Sequence, residues 1–127
     1  MNSEEFISKV QQSAALASRT EADAWATAVL VSLCHLLPDS EARRHFISQV
    51  PGQLKSHLQA EAPRALVMTR DAFLQHVGNA LGTHAPQAET AVRAVYDVLK
   101  QAVSAGEIAH LEAHVPREIA TLLEQVQ

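Results

Sequence analysis

The second half of the sequence repeats the pattern of the first, and this most constrains the fold. EEFISKV at 4–10 returns as DAFLQHV at 71–77, an offset of 67 residues. EADAWATAVLVSL at 21–33 matches QAETAVRAVYDVL at 87–99, at an offset of 66. The spacing is constant inside each segment and drifts only between segments, where loops are expected. We therefore predict a structural duplication.

Each repeat unit is predicted to contain four helices, because apolar residues recur three and four positions apart. The fold class that follows is all-α, with two tandem four-helix units forming one compact helical bundle. We predict a single domain over 1–127, with units 1–60 and 69–127 joined by a connector at 61–68. The predicted helices cover about 3–17, 20–37, 40–48 and 51 onward, then 70–81, 86–103, 105–113 and 116–126.

Polar residues mark the predicted helix starts. Ser3 is expected to cap the first helix, and Thr20 with Asp23 resembles a capping box that opens the second. Ser104 with Glu107 has the full capping-box pattern. A hydroxyl at such a position accepts a hydrogen bond from a backbone amide that the first helical turn leaves unpaired.

Prolines and a glycine are expected to mark further boundaries. Pro38 should end the second helix, since it lacks an N–H and disfavours helical geometry in the residue before it. Pro51 and Pro116 stand in two matching phrases, QVPGQL and HVPREI, and are predicted to begin helices. Gly82 is predicted to cap a helix end.

These segments give the chain a resemblance to the bacterial proteins grouped as Domain of Unknown Function 2267. The resemblance covers nearly the whole chain and rests on EEFISKV, DAFLQHV, ADAWATAVLVSL, AETAVRAVYDVL, SAGE, QVPGQL and HVPREI. It implies a duplicated all-helical domain. It implies no activity, because the family has no established one.

Composition and charge restrict the partners and the compartment. The formal net charge is −4, so little electrostatic attraction to nucleic acid or anionic lipid is expected. The most apolar window, 24–37, is too short to span a bilayer, and the first ten residues do not resemble a signal peptide. Cys34 is the only cysteine, which fits a reducing compartment. We predict a cytoplasmic protein that binds neither nucleic acid nor membrane.

A metal site has only weak candidates in the sequence. Glu107, His110 and His114 are spaced to lie near one helix face. Di-iron helical bundles use the Glu-x-x-His pair twice, with two further carboxylates, and the first unit offers no second copy. His114 is also explained without a metal, since an imidazole in the last turn of a helix suits the helix dipole. We therefore predict no metal and no cofactor, and keep these three residues as weak candidates only.

Catalytic motifs are also missing from the sequence. The four glycines form no phosphate-binding loop, and no serine lies in a Gly-x-Ser-x-Gly elbow. Cys34 has no adjacent lysine or arginine and is interpreted as a small core residue. We predict no catalytic residue, and the sequence gives no reason to assign the protein as an enzyme. Acid–base catalysis by carboxylates that the fold brings together stays open.

The helix predicted over 22–37 differs from its repeat partner on one face. The partner helix, over 88–103, carries charged residues opposite its apolar face, as a half-exposed helix should. The back of the 22–37 helix carries Ala24, Ala28, Val31 and His35, with no charge after Asp23. Either the second unit or the connector covers this face, or the face pairs with another chain.

The function predicted from these observations is a non-catalytic helical interaction or assembly module. Its partner would be a second copy, forming a homodimer, or another protein. The predicted interface residues are Ala24, Ala28, Val31 and His35. The alternative is a small-ligand or metal-binding protein with a pocket between the two repeat units.

Overall fold

The computed structural model describes residues 1–37, 40–60, 68–83 and 85–124. These ranges form eight α-helices and no strand, packed as one compact helical bundle, which confirms the predicted fold class. Pro38 lies outside the described residues. So does the predicted connector at 61–68, apart from Met68. The helices are α1 (Ser3–Ser13), α2 (Arg19–Leu36), α3 (Ser40–Gln49), α4 (Gly52–Ala60), α5 (Arg70–Leu81), α6 (Ala85–Ala102), α7 (Ala105–His114) and α8 (Arg117–Glu124).

The start of α1 corrects the predicted cap. The cap is Asn2, whose side chain accepts a hydrogen bond from the Glu5 amide at 2.8 Å, and Glu5 reaches back to the Asn2 amide. Ser3 is instead the first helical residue and is buried. Asn2 and Ser3 can both cap a helix, and Asn2 has the glutamate three residues later that completes a capping box.

The start of α2 also lies earlier than predicted. Ser18 caps the helix, and its hydroxyl accepts from the Glu21 amide at 3.1 Å, so Thr20 is already helical. The far end agrees with the effect expected of the following proline. Leu37 has φ −79° and ψ 115°, an extended geometry, and the helix ends at Leu36.

One type of turn closes both α1 and α5. In each, an amide just beyond the helix donates to the carbonyl five residues back: Leu16 to Gln11 at 2.9 Å after α1, and Thr83 to Gly78 at 2.8 Å after α5. This is the Schellman motif, and the residue inside it adopts a left-handed backbone. That residue is Gly82 after α5, with φ 66°, and Ala15 after α1, with φ 54°. Gly82 is therefore the predicted cap, whereas α1 ends earlier than its apolar pattern suggested.

The helices of the two halves pack across each other. Helix α1 packs against α2 and α6, α5 packs against α6 and α2, and α2 and α6 contact each other. A single hydrophobic cluster runs from Phe6 to Leu123. The two halves therefore share one core. Its largest fully buried side chains are Tyr96, Phe6, Phe73, Leu30, Leu33, Leu37, Leu54, Leu99, Ile119, Leu122 and Leu123.

Helix α2 is the central helix of this arrangement. It contacts α1, α3, α4, α5 and α6. Its buried residues include Ala22, Ala26, Val29, Leu30 and Leu33, none of which keeps any exposed surface. This burial explains why α2 carries so few charges. One surface of α2, beside α5, stays partly open.

Candidate functional site

A surface groove lies between α2 and α5, and we call it the α2 groove. Its volume is about 420 Å³. It is an open depression with more apolar than polar lining. The lining residues are Thr20, Asp23, Ala24, Thr27, Ala28, Val31, Ser32, His76 and Ala80.

The predicted interface residues lie in this groove or at its edge. Ala24 is exposed, and Val31 and His35 are half-buried. Ala28 is buried, with 9% of its surface exposed. His76 and Ala80 of α5 form the opposite wall. Helix α5 thus covers part of the back of α2, as one of the two alternatives expected, and a strip of small and apolar side chains stays open beside it.

A serine and a histidine meet at the base of the α2 groove. The Ser32 hydroxyl lies 2.8 Å from Nδ1 of His76, and the His35 ring meets the His76 ring edge-on at 5.4 Å between centroids. Burial, and secondarily the neighbouring His35, lower the pKa of His76, so its neutral form is favoured.

This serine–histidine pair has a structural role. Ser32 has no exposed surface, so its oxygen cannot reach a substrate carbonyl as a nucleophile must. The contact gives a buried hydroxyl the hydrogen-bond partner that it needs. No motif in the sequence links these two residues, which stand 44 positions apart.

A second site, which we call the histidine cluster, joins α3 to α7. It consists of His45 from α3 and Glu107, His110 and His114 from α7. Nε2 of His45 lies 2.6 Å from a carboxylate oxygen of Glu107. The ring centroids of His45 and His110 are 5.9 Å apart, and those of His110 and His114 are 4.3 Å apart. Beside the cluster is a cavity of about 320 Å³, lined by Glu41, Ala42, His45, His110 and His114.

Glu107 corrects the predicted capping box of α7. Ser104 caps the helix as expected, accepting from the Glu107 amide at 3.2 Å. The Glu107 carboxylate, however, contacts His45 instead of completing the box. An imidazole at hydrogen-bonding distance is a stronger partner for a carboxylate than a single backbone amide when it is charged.

His45 is the residue of this cluster that the sequence did not reveal. The weak candidates Glu107, His110 and His114 do lie together on α7, but His45 precedes Glu107 by 62 positions. Helices α3 and α7 occupy equivalent places in the two predicted units. A search for histidines at equivalent repeat positions would not have found it either, because the residue aligned with His45 is Leu111.

The tautomer of His114 is fixed by its surroundings. Its Nδ1 lies 2.8 Å from the carbonyl oxygen of His110. A carbonyl oxygen only accepts hydrogen bonds, so Nδ1 carries a proton, and in the neutral ring Nε2 then carries the lone pair. Among the residues that the structure describes, no group of three or more His, Cys, Asp or Glu side chains could hold a metal ion.

Cys34 is a core residue, as predicted. It is 5% exposed, and burial raises the pKa of its thiol from 9.0 to about 12, with Arg43 acting weakly in the other direction. A thiol of this kind is a poor nucleophile, since the thiolate is the reactive form.

No helix in the part of the chain that the structure describes is long and apolar enough to cross a membrane.

Two comparisons bear on the identity of the chain. One family model matches residues 3–122, and its description is Uncharacterized conserved protein (DUF2267). A comparison with curated proteins finds no match.

Proposed function

Since the chain belongs to the DUF2267 family of uncharacterized conserved proteins, which brings no assigned activity with it, we propose a function from its surfaces. The protein is a non-catalytic helical assembly module that pairs with a second copy of itself along the α2 groove. The observation that carries this proposal is the open, uncharged strip on α2. Ala24, Thr27, Ala28 and Val31 line the groove on α2, the helix that packs against α1, α3, α4, α5 and α6.

The side chains of this strip suit close contact with another helix. Alanine and threonine are small, so a second helix can approach with its axis near the lower end of the usual 8–10 Å range. An open apolar strip beside polar groups is typical of surfaces that bind another protein. The strip extends over about three helical turns, because residues 24 and 35 are about 16 Å apart along α2.

The polar residues at the two ends of the strip favour an antiparallel pair of α2 helices. Asp23 lies at one end of the groove, and His35 lies twelve residues further along the helix. In a twofold pair whose axis passes at the level of residue 29, Asp23 faces the partner's His35. The same axis sets Thr27 opposite the partner's Val31. A self-complementary patch of this kind is what a twofold dimer requires.

Sedimentation velocity on the full chain and on an Ala24→Glu variant tests the proposal. The exposed position of Ala24 lets the monomer accept the glutamate, which pairing would then bury without a partner. We expect the wild type to form dimers and the variant to dissociate at least about 100-fold more readily, which corresponds to about 2.7 kcal/mol.

The matched control is Ala113→Glu, the same change at an exposed position on α7. It should leave the dimer intact, and circular dichroism should show both variants to be as helical as the wild type. A wild-type chain that stays monomeric at high concentration would contradict the proposal. So would an Ala24→Glu variant that dimerises as well as the control.

The proposal includes a reducing, cytoplasmic setting and no nucleic-acid partner. The buried thiol of the single cysteine supports the first, because it requires no oxidising environment. The net charge of −4 supports the second, because a nucleic-acid interface needs an excess of positive charge.

A further inference from the structure

We infer that the two histidines at the α2 groove, His35 and His76, make the pairing of two chains depend on pH, with the dimer strongest when each histidine pair holds a single proton. The inference rests on the proposed pairing along the α2 groove and names how that pairing is regulated. His76 lines the groove, His35 lies at its edge, and the two rings meet edge-on with their centroids 5.4 Å apart.

The geometry of this pair admits a first proton more readily than a second. Two charged rings at this distance repel each other, because they lie well within the distance over which salt screens charges. His76 is half-buried, and its Nδ1 lies 2.8 Å from the fully buried Ser32 hydroxyl. Burial, and secondarily His35, lower the pKa of His76. A proton on His35 therefore leaves His76 neutral.

The carboxylates on the helices around His76 lie elsewhere. Helices α6 and α8 pack against α5 as α2 does, and their Glu89 and Glu118 contact Arg70, the first residue of α5. Arg70 is six residues before His76, about 9 Å along the helix. Asp23 of the same chain lines the groove near the opposite end of α2. His35 is the titratable group that acts on His76.

Pairing of two chains supplies one carboxylate to each histidine pair. In the proposed antiparallel arrangement, Asp23 of the second copy faces His35. A singly protonated pair balances that carboxylate. Two neutral rings leave the carboxylate without an opposite charge, and two protonated rings add a positive charge to a groove that the second helix now covers. Either state places an uncompensated charge in a covered surface, which is unfavourable. Protonation and pairing are therefore linked.

The other half of the chain has a different pair at the corresponding place. The predicted repeat aligns Lys9 with His76 and Gln101 with His35, and these two side chains also meet, with Nζ of Lys9 donating to Oε1 of Gln101 at 3.3 Å. Of the four residues, only the histidines belong to the type whose charge ordinarily changes between pH 5 and 8. The pH dependence is therefore confined to the α2 side.

Sedimentation equilibrium of the full chain at about pH 8.5, 6.5 and 5 tests the inference. We expect the dimer to be tightest near pH 6.5 and at least about 3-fold weaker at each of the other two values, since one proton can change the affinity by up to about 10-fold per pH unit. The acid weakening falls below pH 6.5, because the pKa of His76 is lowered from that value.

Two variants assign the effect to the histidine pair. His76→Gln cannot be protonated and keeps a hydrogen-bonding group beside Ser32, so its dimer should be as tight at pH 5 as at pH 6.5. The double variant His35→Gln/His76→Gln should give one affinity at all three values. His110→Gln, the same change at an exposed position on α7, is the matched control and should follow the wild-type profile. Circular dichroism at each pH checks that every chain is folded.

The outcomes separate this inference from the pairing on which it rests. A wild-type dimer of equal affinity at the three pH values would overturn the inference and leave the pairing intact. A His76→Gln dimer that still weakens at pH 5 would also overturn it, because another group would then be responsible. A wild-type chain that is monomeric at every pH would contradict the pairing itself, and the inference with it.

Discussion

Exchanging the residues at two equivalent turns should change stability in opposite directions. Ala15 and Gly82 occupy the same left-handed position in the turns that close α1 and α5, and they stand 67 residues apart, the offset of the repeat. Ala15→Gly should stabilise the fold, and Gly82→Ala should destabilise it. Neither change disturbs the core, since Ala15 is exposed and a Cβ at Gly82 would meet no atom within 4 Å.

The size of the effect follows from the backbone alone. A left-handed conformation costs a residue with a Cβ roughly 1–2 kcal/mol relative to glycine. Glycine in turn gives the unfolded chain more conformational entropy, which offsets roughly 0.4–1 kcal/mol. We therefore expect about 0.5–1 kcal/mol in each direction, which shifts the midpoint of thermal unfolding by about 2–6 °C for a chain of this size.

Urea and thermal unfolding followed by circular dichroism measure both changes, with the double variant as the internal control. Because the two turns are far apart in sequence and act through their own backbones, the double variant should unfold near the wild-type midpoint. If both substitutions changed stability in the same direction, the equivalence of the two turns would be wrong. An Ala15→Gly variant that is less stable than the wild type would also show that the two turns are not equivalent.

Three further predictions concern two buried groups, the Cys34 thiol and the Tyr96 hydroxyl. Alkylation of Cys34 at pH 8 should be at least about 1000-fold slower in the native chain than in urea, because a thiol pKa of about 12 instead of 9.0 lowers the thiolate fraction by three powers of ten. Because folding raises the pKa of the thiol, Cys34 contributes its full stability below pH 9, and this contribution is lost as the pH rises toward 12. Alkaline unfolding of the wild type and of Cys34→Ser measures the lost stability. Equal pH profiles for the two chains would contradict the prediction. Tyr96→Phe should lower the free energy of unfolding by about 1–2 kcal/mol, because the buried hydroxyl donates a hydrogen bond to the Glu112 carboxylate at 2.5 Å. Urea unfolding measures this loss, and an unchanged midpoint would show that the hydrogen bond adds nothing to stability.

The helices could be predicted from the sequence because each depends on residues close together in the chain. The apolar spacing predicted α2, and the proline after Leu37 predicted its end, where the backbone is indeed extended. The helix starts were less certain for a local reason as well. Asn2 precedes Ser3 and Ser18 precedes Thr20, and in both places the cap is the residue that has a glutamate three positions later.

The contacts between helices could not be predicted in the same way. His45 meets Glu107 only because the fold places this side chain of α3 beside that of α7, and nothing in the residues around His45 marks a partner 62 positions away. Similarly, the lack of charge on the back of α2 predicted that this face is covered, but not whether the same chain or another chain covers it. Only the packing shows that α5 covers the side near Ser32 and leaves Ala24 exposed.

Charge reversal at the two ends of the strip on α2 tests the proposed pairing most directly. Sedimentation equilibrium would compare the wild type with Asp23→Lys, His35→Glu and the double variant, with circular dichroism confirming that each is folded. Asp23→Lys removes the carboxylate that faces the partner's imidazole, and His35→Glu sets a second carboxylate opposite Asp23, so we expect each change to weaken the dimer about 10-fold, or 1.4 kcal/mol. The double variant sets a lysine opposite a glutamate and should recover the wild-type affinity. Because residues 23 and 35 are about 18 Å apart along one helix, such recovery can arise only between two chains. A double variant whose loss of dimer affinity equals the two single losses added together would contradict the antiparallel pairing of α2.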